Sequence, residues 1–391
     1  MTVQALKESA DALLREAAQA GDVPGVVAMA TGREGTLYEG AFGVRALGLP
    51  APMTLDTVVW IASMTKALTG AAAMQLVEQG RLELDSPATR WVPELEKQRV
   101  LEGFDAAGQP RLRLLKRPIT LRHLLTHTAG FGYDIWNERI LEYQCRTGLP
   151  PLTTGKLEAL KSPLLFDPGE RWNYGINLEW AGRMVEAASG QRLGKYLRQH
   201  LFAPLEMNDT GYKLTPALRA RLAKIHQRDA AGALHATDRE MPQDAEFDPG
   251  GGALYSTAGD YLKFVRMILN RGQAGGRRVL RPETVDLMGR NQMGDTPVTM
   301  LRTCQPERSN DAEFFPGAPK RWGLTFMINL EPAPTGRSAG TLAWAGLGNT
   351  YYWIDPVRGV GGVYLTQILP FADGKSLPLY YAFESAVYRA A

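Results

Sequence analysis

Apolar residues follow two rhythms along this chain. From residue 3 to 20 they recur at helical spacing between charges, which predicts an amphipathic helix ending near Gly21. GVVAMAT from Gly25 and TLYEGAFGV from Thr36 predict strands, and the GREG between them predicts a hairpin turn. From about Ser63 to Gln79 the pattern is that of a small, apolar helix closed by Gly80 in the C′ position. Helical spacing returns near 119–126, 177–189, 193–201, 258–271 and 281–289, within a long section rich in Pro and Gly. The last seventy residues change rhythm. WGLTFMINL, GTLAWAG, NTYYWIDP and GVGGVYLTQIL predict three or four antiparallel strands, and a final helix spans roughly 376 to 389. Strands at both ends with helices between predict an α+β fold. One antiparallel sheet is built from N- and C-terminal strands flanked by helices. The sheet domain takes 1–85 and 250–391, a mostly helical insertion takes 86–249, and the active site is expected in the cleft between them.

Composition narrows the classes of partner. The 391 residues are 45% hydrophobic, ample for a large core, and the net charge is only +3. The densest basic stretch, RLRLLKRP from Arg111 to Pro118, alternates with leucine and reads as a solvated strand or loop edge, so no nucleic-acid partner is expected. Two cysteines, Cys145 and Cys304, fit a reduced compartment, although a disulfide between them stays open. The N-terminal residues carry no unbroken apolar run before a cleavage site, and no stretch suits a membrane span. The expectation is a cytoplasmic protein without a membrane partner. Its oligomeric state, monomer or homodimer, is open.

The candidate chemistry begins with IASMTKALTG. A serine hydroxyl needs a base, and a lysine can serve if desolvation lowers its proton affinity. Ser63 and Lys66 are spaced i, i+3, on one helix face, and the flanking ALTGAAAMQLV is suited to burial. An isolated S-x-x-K is more often a cap followed by a surface lysine; the apolar flanks make this one a candidate. A second polar group is available in RWNYGIN, residues 171–177. There Asn177 is expected to cap a helix, and Tyr174 sits at a strand-to-helix junction where it can face a cleft.

Together these residues resemble the serine-reactive β-lactamase and penicillin-binding-protein superfamily, and within it class C β-lactamases and family VIII carboxylesterases. The resemblance runs in order over nearly the whole chain: VPGVVAMA, the tetrad Ser63-Met64-Thr65-Lys66, LLTHTAGF at 124–131, Tyr174, GGGALYSTAGDYLKF from Gly250, and Trp344-Ala345-Gly346 where β-lactamases carry K-T-G. Two departures matter. The Asn expected two residues after the tyrosine is Ile176, and Asn177 comes one residue late; the K-T-G lysine is Trp344. A site without that amide and cation should bind a β-lactam carboxylate poorly. A wall of Trp344, with Tyr351, Tyr352 and Trp353 following, suits a neutral ester.

The resemblance therefore implies a serine carboxylesterase acting on short- to medium-chain esters through an acyl-Ser63, with at most weak β-lactam hydrolysis. Lys66 and Tyr174 would share the proton work, with the choice of base open. The backbone N–H groups of Ser63 and Leu347 would form the oxyanion hole. Trp344, Ala345, Gly346, Asn177, Ile176 and Tyr133 are expected around the substrate, the acyl pocket drawing on GFGYDIWNERILEYQ at 130–144, a span that reads equally as core. No cofactor and no metal are implied. The alternatives are a class C-like β-lactamase or D-Ala peptidase, an acyltransferase or amidase on the same fold, and a catalytically dead binding protein.

Other motifs carry less. GRSAG, 336–340, fits the G-x-S-x-G elbow, but a strand follows it where the elbow needs a helix, so Ser338 is read as non-catalytic. His123 and His127 are spaced i, i+4 without a third ligand, and His127 is read as a structural residue in the loop under the active site.

Overall fold

The computed structural model describes residues 3–390. Its largest sheet is antiparallel and seven-stranded. The strands are β1 (Gly25–Thr31), β2 (Thr36–Gly43), β3 (Lys320–Trp322), β4 (Met327–Asn329), β5 (Leu342–Gly346), β6 (Thr350–Asp355) and β7 (Val360–Leu365), in the order β3-β4-β5-β6-β7-β1-β2. β1 docks against β7, so the two ends of the chain close one sheet.

The central strands are buried at every position, which requires cover on both faces. Helices α1 (Val3–Gln19) and α5 (Ser376–Ala390) pack on each other, with α1 over β2, and α4 (Ala258–Leu269) packs on β7 and β1. Side-chain alternation along β6 shows the two sides. Tyr351 stacks on Tyr380 of α5 at 4.6 Å and Trp353 meets Phe383 at 5.9 Å, whereas Tyr352 points the other way, to Tyr261 of α4 at 5.2 Å. This corrects an expectation: Tyr351, Tyr352 and Trp353 are core residues, fully buried between sheet and helices, and form no substrate wall.

Helix α2 (Thr65–Glu78) is preceded by a short 3-10 turn at Ala62–Met64 and is buried from Thr65 to Leu76. Its small residues permit close neighbours: a Cβ on Gly70 would stand 2.5 Å from the Thr325 side chain. Helix α3 (Asn177–Ser189) packs beside α2. One buried cluster joins residues of the helical segment, such as Leu125, Phe131 and Met184, to sheet residues such as Val27 and Tyr351. The segment 86–249 also holds a hairpin, Val100–Phe104 with Pro110–Arg113, and the strands His226–Arg228 and Leu234–Ala236, so it is less purely helical than expected.

Three local readings need correction. WGLTFMINL is two strands with a corner, because Thr325 adopts φ +81° and its N–H bonds Leu125 O at 3.1 Å. Residues 138–147 form a helix in a span for which the periodicity predicts no element, capped by Asn137 accepting from the Ile140 N–H at 3.2 Å. Asn177 is the first helical residue and does not cap its helix. Cys145 and Cys304 are both free thiols. Among the described residues no helix is long and apolar enough to cross a membrane.

Candidate active site

Ser63 lies in the tight turn before α2, partly exposed at the floor of a cavity. One turn on, Lys66 is 1% exposed. Its Nζ lies 3.1 Å from Ser63 Oγ, 3.0 Å from Tyr133 Oη and 2.7 Å from Gly251 O. An ammonium could donate to all three. A neutral amine has two N–H bonds and a lone pair; Gly251 O can only accept, so the lone pair must face a hydroxyl hydrogen, from Ser63 or Tyr133. Burial drives Lys66 toward that neutral form, to a pKa of about 7, against the opposing pull of Glu179.

Tyr174 is fixed by straps between two loops. Asn173 N–H donates to His127 O at 2.9 Å, and Asn173 Nδ2 donates to Phe131 O at 2.9 Å. Gly175 has to be glycine because a Cβ would lie 2.3 Å from Phe131 O. The Tyr174 hydroxyl accepts from Trp344 Nε1 at 2.9 Å and is hydrogen-bonded to Ser63. Burial holds its phenol well above the ordinary tyrosine value. The Lys66 Nζ stands 4.8 Å from the Tyr174 ring centre and 5.2 Å from that of Tyr133, so both ring faces stabilise whatever positive charge it carries.

β5 ends against the turn that carries Ser63. A Cβ on Gly346 would lie 2.3 Å from Ile61 O, so only glycine lets the strand come this close. The next residue, Leu347, lines the same cavity as Ser63. Among the described residues neither the Ser63 N–H nor the Leu347 N–H finds an intramolecular acceptor. Two free donors beside a hydroxyl are what an oxyanion requires.

The cavity wall is largely apolar: Trp60, Tyr133, Ile135, Trp136, Met241 and Leu347 contribute to it. Tyr133, Ile135 and Trp136 come from the 130–144 segment, as the sequence suggested. Other expected substrate contacts lie elsewhere. Asn177 is fully buried, with Nδ2 2.9 Å from His127 Nδ1, and Ile176 is buried behind Tyr174's loop; neither lines the cavity. Trp344 is 5% exposed and turned to Tyr174, so it acts on the tyrosine instead of walling the cavity. Ala345 and Gly346 are buried in β5. The sequence reading missed Trp60, Met241 and Glu179, which do line it. Glu179 alone carried a signal, as an acid between Leu178 and Trp180.

The remaining motifs sit away from this cavity or under it. Ser338 lies in the loop between β4 and β5, its N–H donating to Asp355 at 2.9 Å. His127 is buried 4.6 Å from the Tyr174 ring, held neutral by burial and by Lys66, and His123 closes a helix cap with Thr120.

Comparison with known proteins agrees with this geometry. The β-lactamase family model matches residues 10–385. Monacolin J acid methylbutanoyltransferase of Aspergillus terreus is 34% identical, over 96% of this chain and 94% of its own length. Lovastatin esterase of Penicillium rubens is 33% identical, over 97% of this chain and 98% of its own. A solved structure of a simvastatin synthase mutant from Aspergillus terreus superposes with a TM-score of 0.85 at 33% identity, covering 97% of this chain and 96% of that one. A match over almost every residue, on a sheet closed by both chain ends, leaves one assignment: the chain belongs to the β-lactamase family, whose members include hydrolytic and acyl-transferring serine enzymes, and is an enzyme of that kind.

Proposed function

We propose that this enzyme is an acyltransferase that moves a short- to medium-chain acyl group from an ester donor through Ser63 to an alcohol, with hydrolysis as the competing outcome. This reverses the ranking drawn from sequence, which put the esterase first. A relative named for acyl transfer is 40% identical over 71% of this chain and one named for ester hydrolysis is 33% identical over 97% of it, and both reactions share one acyl-serine. The observation that favours transfer is the wall: Trp60, Ile135, Trp136, Met241 and Leu347 enclose Ser63 with apolar surface, which favours an organic alcohol over water as the second nucleophile.

The steps follow from the contacts. Neutral Lys66 takes the Ser63 proton as Oγ attacks the donor carbonyl, and the oxyanion meets the Ser63 and Leu347 N–H groups. Collapse breaks the bond to the leaving alkoxide, which takes the proton from Lys66. The acceptor alcohol then gives its proton to Lys66 and its oxygen to the acyl carbon, and Ser63 recovers a proton as the product leaves. Tyr174 is read as a relay that donates toward Oγ, because burial holds its phenol protonated against the opposing pull of the Trp344 N–H that it accepts. Asp134 and Arg308 also line the cavity but pair with each other at 2.9 Å.

Two measurements test this. With p-nitrophenyl butyrate as donor, rising concentrations of an aliphatic alcohol should divert product from butyrate to the butyrate ester while p-nitrophenol release holds steady or rises. A yield of free acid unaffected by alcohol would return the enzyme to the esterases. The pH profile is the second. Acylation needs Lys66 unprotonated, so kcat/KM should fall about tenfold per unit as pH drops below about 7 and level off above it. A flat profile from pH 5 to 8 would remove Lys66 from the role of base.

A further inference from the structure

Glu179 has no part in the scheme above, yet its carboxyl is fully buried in the wall of the same cavity. It stands in the first turn of α3, where the helix N-terminus favours a negative group. Oε2 accepts the Gly251 N–H at 2.8 Å, and the carbonyl of the same glycine accepts from Lys66 Nζ at 2.7 Å. Oε1 has no hydrogen-bond partner among the described residues. A Cβ on Gly251 would lie 2.3 Å from Oε1 and 3.2 Å from Lys66 Nζ, so acid and amine crowd one point that only glycine leaves open.

The other titratable groups around the pair carry no charge to compete. Tyr133, Tyr174 and Tyr212 all feel Glu179, and burial holds each of them protonated. His127, which feels Lys66, is neutral. Asp248 and Glu186 lie farther out near Tyr212 with Arg192, and Asp134 is engaged by Arg308. The buried centre therefore contains one acid and one base, joined by one glycine; burial raises the Glu179 carboxyl to about 7 against the pull of Lys66 and the Gly251 amide, so the carboxylate is present above the same pH at which Lys66 becomes neutral.

A lysine buried alone would become too weak a base to take a serine proton, and an acid beside it restores its proton affinity. We propose that Glu179 is a positioning residue for acyl transfer: its buried carboxylate, tied to the Gly251 amide, supplies the negative charge against which Lys66 works. The proton that leaves Ser63 Oγ then arrives on a nitrogen whose new positive charge is already faced by a carboxylate.

This rests on the reading of Lys66 as the base, and the experiment separates the two. Glu179→Gln keeps the shape and can still accept from Gly251 N–H, but it removes the charge. The acid limb of kcat/KM for p-nitrophenyl butyrate, and of Ser63 labelling by a fluorophosphonate, should move down by at least one pH unit. The plateau above pH 8 should fall about tenfold because the amine is a weaker base. Glu179→Asp, which retains the charge, should keep the limb within about half a unit of wild type. Melting curves verify that each variant is folded. A Glu179→Gln enzyme with its limb where the wild type has it, whatever its plateau, overturns the inference and leaves a packing role. A wild type with no acid limb fails the assignment of Lys66 itself.

Discussion

Replacing Ser63 with alanine should abolish acyl-enzyme formation and lower kcat by a factor on the order of 10⁶, as loss of the nucleophile does in serine enzymes. The substitution is structurally mild. The side chain loses only Oγ, whose protein partners are Lys66 and Tyr174, and the turn at Ala62–Met64 is held by backbone bonds such as Met64 N–H to Ile61 O at 3.1 Å. The melting temperature should therefore stay near wild type. Intact mass after p-nitrophenyl butyrate or a fluorophosphonate reads the result directly: wild type gains one acyl or phosphonyl group and Ser63→Ala gains none. Ser338→Ala serves as the control, because that serine lies in the β4–β5 loop and should keep full turnover and full labelling. A Ser63→Ala enzyme within tenfold of wild type, or a Ser338→Ala enzyme that loses its label, would end the assignment.

What the sequence revealed and what it hid divide along range. The closing of one sheet by both chain ends was legible because strand periodicity is local and the order of motifs fixed the rest. Ser63 and Lys66 were legible because i, i+3 spacing and an apolar flank are local as well. Asn177 was misread for the same reason. Cap preference is a local rule, but its amide met His127, fifty residues away, and turned inward. Trp344 was read as a wall because it stands where a substrate-binding lysine stands in β-lactamases. Its strand proved buried on both faces, and its indole N–H found Tyr174, 170 residues away. Glu179 was passed over because an acid in a first helical turn is ordinary. Only the fold reveals that it faces Lys66 across Gly251.

The free N–H groups were anticipated in position but not in cause. The sequence offered W-A-G as a counterpart of K-T-G and no reason for its glycine. The structure supplies the reason: β5 abuts the carbonyl of Ile61, and a methyl group there would drive the strand, and Leu347 with it, away from Ser63. The glycine is thus a spacing device that keeps the Leu347 N–H near Ser63, a backbone role that residue identity cannot mark.

Substituting Lys66 is the second large effect expected, and it distinguishes the two candidate bases. Lys66→Met fills the same apolar sleeve of α2 and removes the amine, so single-turnover acylation by p-nitrophenyl butyrate should slow by about 10³–10⁴ or more, the range of a lost general base. Tyr174→Phe should cost less, about 10²-fold, if the phenol only relays. With Tyr174 as the base the order would reverse. Lys66→Met also strips Gly251 O of its donor, which costs about 1–3 kcal/mol for an unmet buried acceptor. A fall in melting temperature is therefore expected, and it must be separated from the fall in rate. Lys66→Arg does so. It keeps a donor for Gly251 O and places a fixed positive charge near Glu179, yet guanidinium does not give up its proton near neutral pH. An arginine variant that is folded, stable and as slow as the methionine variant assigns the loss to proton transfer. One that acylates within tenfold of wild type would mean that charge alone suffices and that another group takes the serine proton.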